Sequence, residues 1–151
     1  MIKIKRTDSD NRDFVDLVRR LDANLAARNK EIQAFYDQFN TLNKIKHVVV
    51  AYENDTPVGC GAMKELTPHA VEIKRMFTLP ENRGKGIAAQ ILMALEAWAA
   101  ELSYKKCVLE TGKKQVEAIG LYQKNGYQKI PNYGQYVGVE NSQCYAKDIT
   151  S

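Results

Sequence analysis

One segment constrains the fold and the chemistry of this chain more than any other. An apolar, extended stretch ends at Thr78, Pro-Glu-Asn follows, and then comes Arg83-Gly84-Lys85-Gly86, after which a strong helical pattern begins. The first turn of a helix has N–H groups without intrahelical partners and a partial positive charge, so it binds anions. Glycines allow an anion to approach the backbone, and the two cations add donors. The segment therefore predicts a phosphate-binding strand, loop and helix.

Three phosphate-binding motifs compete for this loop. A Walker loop needs Ser or Thr directly after its Lys, but Gly86 follows Lys85. The dinucleotide fingerprint is matched by Gly84-x-Gly86-x-x-Ala89, with Glu110 about 20 residues further on. Against it, residues 80–83 separate the glycines from the strand, and only one helix and a hairpin follow Glu110. A nicotinamide-dependent oxidoreductase thus remains an alternative that both observations disfavour.

The hydrophobic periodicity predicts a mixed α/β (α+β) domain around one sheet. Strand patterns run through Ile2 and Ile4 and through residues 47–52, 57–63, 70–78 and 106–111. Helical spacing begins at Phe14 after a cap at Ser9 or Asp10, and it recurs over residues 32–42, 87–102 and 115–125. Residues 133–137 and 144–147 are predicted to form a final hairpin that turns at residues 140–142.

Length and composition favour one domain over residues 1–151. The net charge of +4 is mild, and the basic residues form no tract interleaved with aromatics, which argues against nucleic acid as a partner. Cys60, Cys107 and Cys144 are far apart and odd in number, which argues against a metal site and a disulfide framework. The N-terminus lacks the apolar run of a signal peptide, and no stretch is long enough to span a membrane. We therefore expect a cytoplasmic protein without a metal and without a membrane partner.

Two motifs at a characteristic spacing carry a resemblance to a known family. Arg83-Gly-Lys-Gly86-Ile-Ala88 matches the pattern Arg/Gln-x-x-Gly-x-Gly/Ala. Downstream, Ala118-Ile-Gly-Leu-Tyr122-Gln-Lys-Asn-Gly126-Tyr127 matches Ala-x-x-Leu-Tyr-x-x-x-Gly-Phe/Tyr. Both patterns and the order of elements resemble the GNAT superfamily of N-acetyltransferases.

The resemblance implies a fold and a cosubstrate. The fold is the acyl-CoA N-acyltransferase fold, a single mixed, mostly antiparallel sheet flanked by helices. The strand before the loop would carry a bulge, diverge from its neighbour and pair with the pantetheine arm of acetyl-CoA, the acyl donor. Gln115 stands where the family often has an Asn that contacts the cofactor. The cofactor-binding residues that the resemblance implies are Met76, Phe77, Thr78, Arg83, Gly84, Lys85, Gly86, Ile87, Ala88 and Gln115.

The implied reaction is direct attack of a neutral amine on the thioester. A backbone N–H of residues 76–78 would stabilise the developing oxyanion. Tyr122 matches the family's usual general acid near the CoA sulfur. Glu110, at the end of an apolar strand, and Glu72, on the strand that leads to the loop, are the two candidate bases, and a water chain without a dedicated base is the third possibility.

The acceptor is not identified by any motif. A primary amine of a small molecule or of a peptide fits the chemistry. Tyr36, Tyr133, Tyr136 and Tyr145 could rim its pocket or belong to the core. A different functional class, a non-catalytic acyl-CoA-binding sensor or interaction module, would need the loop but neither Tyr122 nor a glutamate base. Dimerisation through the C-terminal strands is implied by the resemblance alone.

Overall fold

The structure, a computed structural model, describes residues 1–28 and 44–149. The predicted helix over residues 32–42 and its Tyr36 therefore lie outside the described residues. The elements in chain order are β1 (Ile2–Thr7), α1 (Arg12–Arg28), β2 (His47–Glu53), β3 (Thr56–Thr67), β4 (Ala70–Thr78), α2 (Ile87–Glu101), β5 (Lys106–Gly112), α3 (Val116–Lys124), β6 (Gln128–Ile130) and β7 (Ser142–Asp148). Short 3-10 turns span Pro80–Asn82 and Gly134–Tyr136.

The strands form one sheet in the order β1-β2-β3-β4-β5-β7-β6. Among the strands of the described residues, β4 and β5 are paired in parallel and the other pairs are antiparallel. The parallel pair requires a crossover, which the loop and α2 provide. The prediction of a single mixed, mostly antiparallel sheet flanked by helices is confirmed. The sheet is not doubly wound, which removes the fold that the dinucleotide interpretation needs.

Both faces of the central strands are buried, which explains the uninterrupted apolar run in β2. Val48 and Val50 pack with Phe14 and Val18 of α1 on one face. Val49 on the other face belongs to the cluster formed with α2. Helices on both sides of a sheet produce such runs instead of alternation.

The start of α1 differs from the prediction. Asn11, and neither Ser9 nor Asp10, caps the helix: its side-chain oxygen accepts a hydrogen bond from the Phe14 N–H at 3.0 Å. The Ser9 hydroxyl instead accepts a bond from the Ile45 N–H at 2.8 Å. The Ser9 hydroxyl is therefore used in a tertiary contact and does not cap the helix.

The first strand of the final hairpin was also predicted in the wrong place. Residues 133–137 contain a 3-10 turn, and the strand that pairs with β7 is β6, where Ile130 lies opposite Cys144. Pro131 ends that strand because it lacks a backbone donor. Gly134 and Gly138 have positive φ angles of +52° and +80°, which do not fit a strand. The predicted second strand, residues 144–147, is confirmed within β7.

Candidate active site

A cleft opens where β4 and β5 separate. The two strands are paired only from Ala70–Lys106 to Glu72–Val108. Beyond that point β5 continues with β7 as far as Gly112, and β4 continues with β3 as far as Thr78. The diverging strands leave a cleft of about 660 Å³ that reaches from α1 to the N-terminus of α2 and to α3.

A bulge in β4 produces the divergence. Ala62 of β3 lies opposite Lys74 and Cys60 lies opposite Phe77, so two residues of β4 face one residue of β3. Arg75 occupies this bulge with a φ of +58°, a conformation that costs a non-glycine residue on the order of 1 kcal/mol. The bulge that the family resemblance implies is therefore present, although nothing in the sequence around Arg75 marks its position.

Gly61 of β3 permits the bulge from the opposite side. A Cβ at this position would lie 2.7 Å from the Met76 Sδ and 2.8 Å from Cγ2 of Ile91 in α2. Real Cβ atoms do not approach other atoms so closely, so only glycine accommodates Met76 beneath α2 here. Glycine weakens a strand in general, but at position 61 close packing requires it.

The loop after β4 exposes backbone donors to the cleft. Gly84 and Gly86 have φ angles of +80° and +78°, and no atom lies within 4 Å of where their Cβ atoms would be. Gly86 is the N-cap of α2, and no side chain caps the helix. The N–H groups of the first turn, including those of Ile87 and Ala88, therefore face the cleft without an intrahelical partner. This is the arrangement that binds a pyrophosphate.

Side chains fix the approach to the loop. The Arg83 Nε donates to the Thr78 carbonyl oxygen at 3.0 Å, and its guanidinium lies 5.8 Å from the Phe77 ring centre. Glu53 receives the Asn82 amide at 3.5 Å and lies 3.9 Å from the Lys85 Nζ. The loop is thereby held against the β2–β3 turn.

Nearly all of the site residues predicted from the sequence border this one cleft. Lys85 is not among its lining residues, because its side chain points towards Glu53. The predicted residues that do line the cleft are Glu72, Met76, Phe77, Thr78, Arg83, Gly84, Gly86, Ile87, Ala88, Glu110, Gln115 and Tyr122.

Tyr122 lies on α3 at the divergence of the strands. Its side chain is buried, and its ring contacts that of Tyr127 edge to face at 5.9 Å between centres. Burial, with a smaller contribution from the charge of Glu110, raises the pKa of Tyr122 above its ordinary value. The phenol is therefore fully protonated at neutral pH and has a proton to donate.

The two candidate bases have different surroundings. Both oxygens of Glu72 are engaged, because Tyr133 donates its hydroxyl to one at 2.5 Å and the Lys74 Nζ lies 3.6 Å from the other. Glu110 accepts the Ser142 hydroxyl at 2.7 Å, and its charge acts on Tyr122. Glu110 is therefore the carboxylate that acts electrostatically on the predicted acid, whereas Glu72 is fixed in a network with Tyr133 and Lys74.

The tyrosines of the C-terminal region divide between pocket and core. Tyr136 is buried and lines the cleft, and its ring packs against that of Tyr133. Tyr145 belongs to the core cluster beneath α2. Asn132 organises this loop by donating to the carbonyl oxygens of Tyr136, Val139 and Ser142.

Several residues that shape the site are not marked by any local sequence pattern. Arg75 donates to Asp22 of α1 at 3.0 Å, and both residues line the cleft. Asn82 and Glu53 support the loop but are separated along the chain by 29 residues. Contacts over such separations leave no local pattern, and only the fold brings the partners together.

Two further features concern ligands and membranes. Within residues 1–28 and 44–149, no group of three or more His, Cys, Asp or Glu side chains could hold a metal ion. In the same described ranges, no helix has the length and apolar character needed to cross a bilayer.

Comparison with known proteins decides the family. A profile of the Acetyltransferase (GNAT) family matches residues 13–127, which is more than half of the chain. The chain belongs to the GNAT family. An N-acetyltransferase of Escherichia coli K12, YjgM, is 42% identical over 86 residues, which cover 54% of this chain and 50% of the relative. This GNAT chain thus aligns with about half the length of that curated relative.

Solved structures agree with the fold of this GNAT protein. A Klebsiella pneumoniae protein described as an acyl-CoA N-acyltransferase has a TM-score of 0.83 and 26% identity, with 99% of each chain covered. A GNAT acetyltransferase from Elizabethkingia anophelis, solved with acetyl-CoA bound, has a TM-score of 0.70 and 22% identity, with 97% of each chain covered. The second likeness concerns the fold alone.

Proposed function

We propose that this protein transfers the acetyl group of acetyl-CoA to a primary amine of a small molecule or peptide. The observation that carries the proposal is the single cleft in which the loop donors of Gly84 to Ala88, the open edge of β4 and the Tyr122 phenol meet. Membership of the GNAT family and the acetyl-CoA bound to the Elizabethkingia structure support the choice of donor.

The loop end of the cleft fits a pyrophosphate. The first-turn N–H groups of α2 and the positive end of the helix would bind its oxygens, and Arg83 would add a cationic donor at the rim. Open space above Gly84 and Gly86 allows the close approach that a Cβ would obstruct. The Gln115 amide, at the start of α3, lines the same cleft and would add a polar contact.

The unpaired edge of β4 fits the pantetheine arm. Beyond Glu72, β4 is not paired with β5, so backbone groups of Met76 to Thr78 on that edge, other than the Thr78 carbonyl oxygen that accepts from Arg83, are available to an extended ligand. An N–H of the same segment would donate to the oxyanion that develops on the thioester carbonyl.

Acetyl-CoA, when bound, supplies an activated acyl group whose C–S bond breaks as the new C–N bond forms. In this proposal Glu110 accepts a proton from the attacking amine. Tyr122 donates its proton to the departing sulfur, and the Tyr122 phenolate is reprotonated from solvent. Glu72 does not act as the base in this proposal. Its contacts with Lys74 and Tyr133 hold the side of the cleft on which the amine would bind.

Isothermal titration with acetyl-CoA, with NADH as the control ligand, tests the donor. We expect acetyl-CoA to bind and NADH not to bind, and Arg83→Ala to weaken the acetyl-CoA affinity about 10-fold by loss of a charged contact. An amine panel with thiol-release detection then tests transfer. Absence of acetyl-CoA binding would overturn the proposal, and binding without turnover of any amine would favour the sensor or interaction module instead.

Three further points stay predictions. A single N-acetyltransferase domain over residues 1–151, a cytoplasmic location and a homodimer formed through the C-terminal strands are each expected from the sequence or the resemblance. Size-exclusion chromatography with light scattering measures the oligomeric state directly.

A further inference from the structure

The bulge in β4 changes which side chains lie on the face of the sheet that α1 covers. Ile73 and Met76 both pack into the core beneath α2. In a regular strand, positions three apart point to opposite faces. Here the extra residue places both Lys74 and Arg75 on the α1 face, where Lys74 meets Glu72 and Arg75 meets Asp22 of α1. Two adjacent cations therefore line the same side of the cleft.

Both cations are largely withdrawn from solvent. The side chains of Lys74 and Arg75 are 13% and 9% exposed, whereas Asp22, the carboxylate that faces Arg75, is 45% exposed. Burying charge is costly unless the charge is compensated. One hydrogen bond to a half-exposed aspartate compensates only part of the Arg75 guanidinium.

The Arg75 guanidinium has more N–H donors than its hydrogen bond to Asp22 uses. It carries five N–H groups in a planar fork, and within residues 1–28 and 44–149 its only hydrogen-bond acceptor is Asp22 Oδ1. No side-chain nitrogen among the described residues is both fully buried and unpaired. Arg75 lines the cleft, so the donors that Asp22 does not use are available to a ligand bound there.

The opposite wall of the cleft carries a carboxylate. Glu110 of β5 lies across the divergence from β4 and is the proposed base, so the attacking amine is placed beside it. A molecule with an amine next to Glu110 and an anionic group next to Arg75 would form favourable charge interactions with both sides of the cleft. Four acidic residues, Asp22, Glu72, Glu110 and Glu117, line the cleft, which favours a singly charged carboxylate over a doubly charged phosphate.

We propose that the acceptor is an amine that also bears a carboxylate, of the amino-acid class, and that Arg75 binds this carboxylate with its free donors while Lys74 adds positive charge beside it. This inference rests on the proposed acetyl transfer and specifies its acceptor. Guanidinium and carboxylate match as planar, two-pronged partners, which gives orientation as well as affinity.

Matched acceptor pairs test the inference. Free amino acids of different side chains and lengths are compared with their C-terminal amides at fixed acetyl-CoA, with CoA release as the readout. We expect at least one acid to exceed its amide in kcat/KM by about 10- to 100-fold, the range of a charge-assisted hydrogen bond. Equal rates for acid and amide, or reaction of amides and simple amines only, would overturn the inference.

Two variants separate acceptor binding from a structural role of Arg75. Arg75→Gln keeps a polar, unbranched side chain at the positive φ, but it shortens the side chain and removes the charge. We expect it to abolish the preference for acids while acetyl-CoA binding, measured by titration, is retained. Asp22→Asn removes the ion pair to α1 but leaves the guanidinium, and we expect it to keep the preference for acids.

Equal losses with acids and amides in both variants would assign Arg75 to anchoring α1 and overturn the inference. Survival of the acid preference in Arg75→Gln would overturn it as well. If acetyl-CoA binds and no acid is acetylated, the acceptor class is wrong while the donor assignment stands. If acetyl-CoA itself does not bind, the proposed function fails first, so the two failures are distinguishable.

Discussion

Different parts of the polypeptide form the two ends of the cleft: backbone groups at one end and side chains at the other. The loop end consists mainly of backbone: the N–H groups of the α2 first turn and two glycines with positive φ, contributed by one continuous segment. The divergent end consists of side chains from different elements, with Asp22 from α1, Arg75 from β4 and Tyr122 from α3. The first is a local structure, and the second exists only in the folded sheet.

Backbone donors and buried side chains recognise different parts of a ligand. Backbone donors at a helix start bind any anion of suitable shape, so the loop end suits a group that all donors of one class share. Buried charged side chains discriminate between ligands because a mismatched partner leaves them uncompensated. The divergent end should therefore decide the acceptor and the chemistry.

Among variants that test these separate roles of the two ends, Tyr122→Phe should have the greatest effect. Loss of the acid should lower kcat by about 100-fold or more, because proton transfer to the leaving group is lost, while acetyl-CoA affinity is retained. Steady-state kinetics and titration measure the two effects. Tyr127→Phe is the matched control: it removes the neighbouring buried phenol, which bonds to Glu96 at 2.9 Å, and should lower stability but not kcat. An unchanged kcat in Tyr122→Phe would show that this residue is not the acid.

A second, intermediate effect concerns the bulge. Gly61→Ala should destabilise the protein by about 1–3 kcal/mol, since its Cβ would overlap the Met76 Sδ and Ile91. Chemical denaturation measures the free energy of unfolding. Displacement of Met76 should also lower kcat, because the bulge sets the position of the β4 edge. Full stability together with wild-type kcat would indicate that the packing against Gly61 does not shape the divergent end.

The smallest effect is expected at the loop end. In Gly86→Ala the new Cβ would have no atom within 4 Å. The loss in free energy of unfolding should therefore be only about 1 kcal/mol, because alanine is held at a φ of +78°. We expect the KM for acetyl-CoA to rise several-fold with kcat unchanged. Gly120→Ala, in the middle of α3 with equally open surroundings, should instead stabilise the helix by up to about 1 kcal/mol. A kcat defect in Gly86→Ala would break the division of roles between the two ends.

Local patterns were sufficient for much of the fold. The strands β2, β4 and β5 and the helices α2 and α3 were predicted close to their observed bounds, because each buries an apolar run or a periodic apolar set. The strand β3 extends four residues beyond its predicted end at residue 63. The final hairpin was misplaced because aromatic residues at 133 and 136 favour a strand, whereas Pro131 and the flanking glycines impose a turn. The Asn11 cap was missed because Ser9 is bound to a residue 36 positions away.

The loop end of the site could be predicted from the sequence, because a strand, a glycine loop and a helix start are contiguous and their backbone donors follow from local geometry. The divergent end, in contrast, depends on tertiary contacts. The position of the bulge at Arg75 depends on Gly61 in β3, on α2 above it and on Asp22 in α1. Because such contacts join residues far apart in the chain, they leave no local sequence pattern from which the position of the bulge could be predicted.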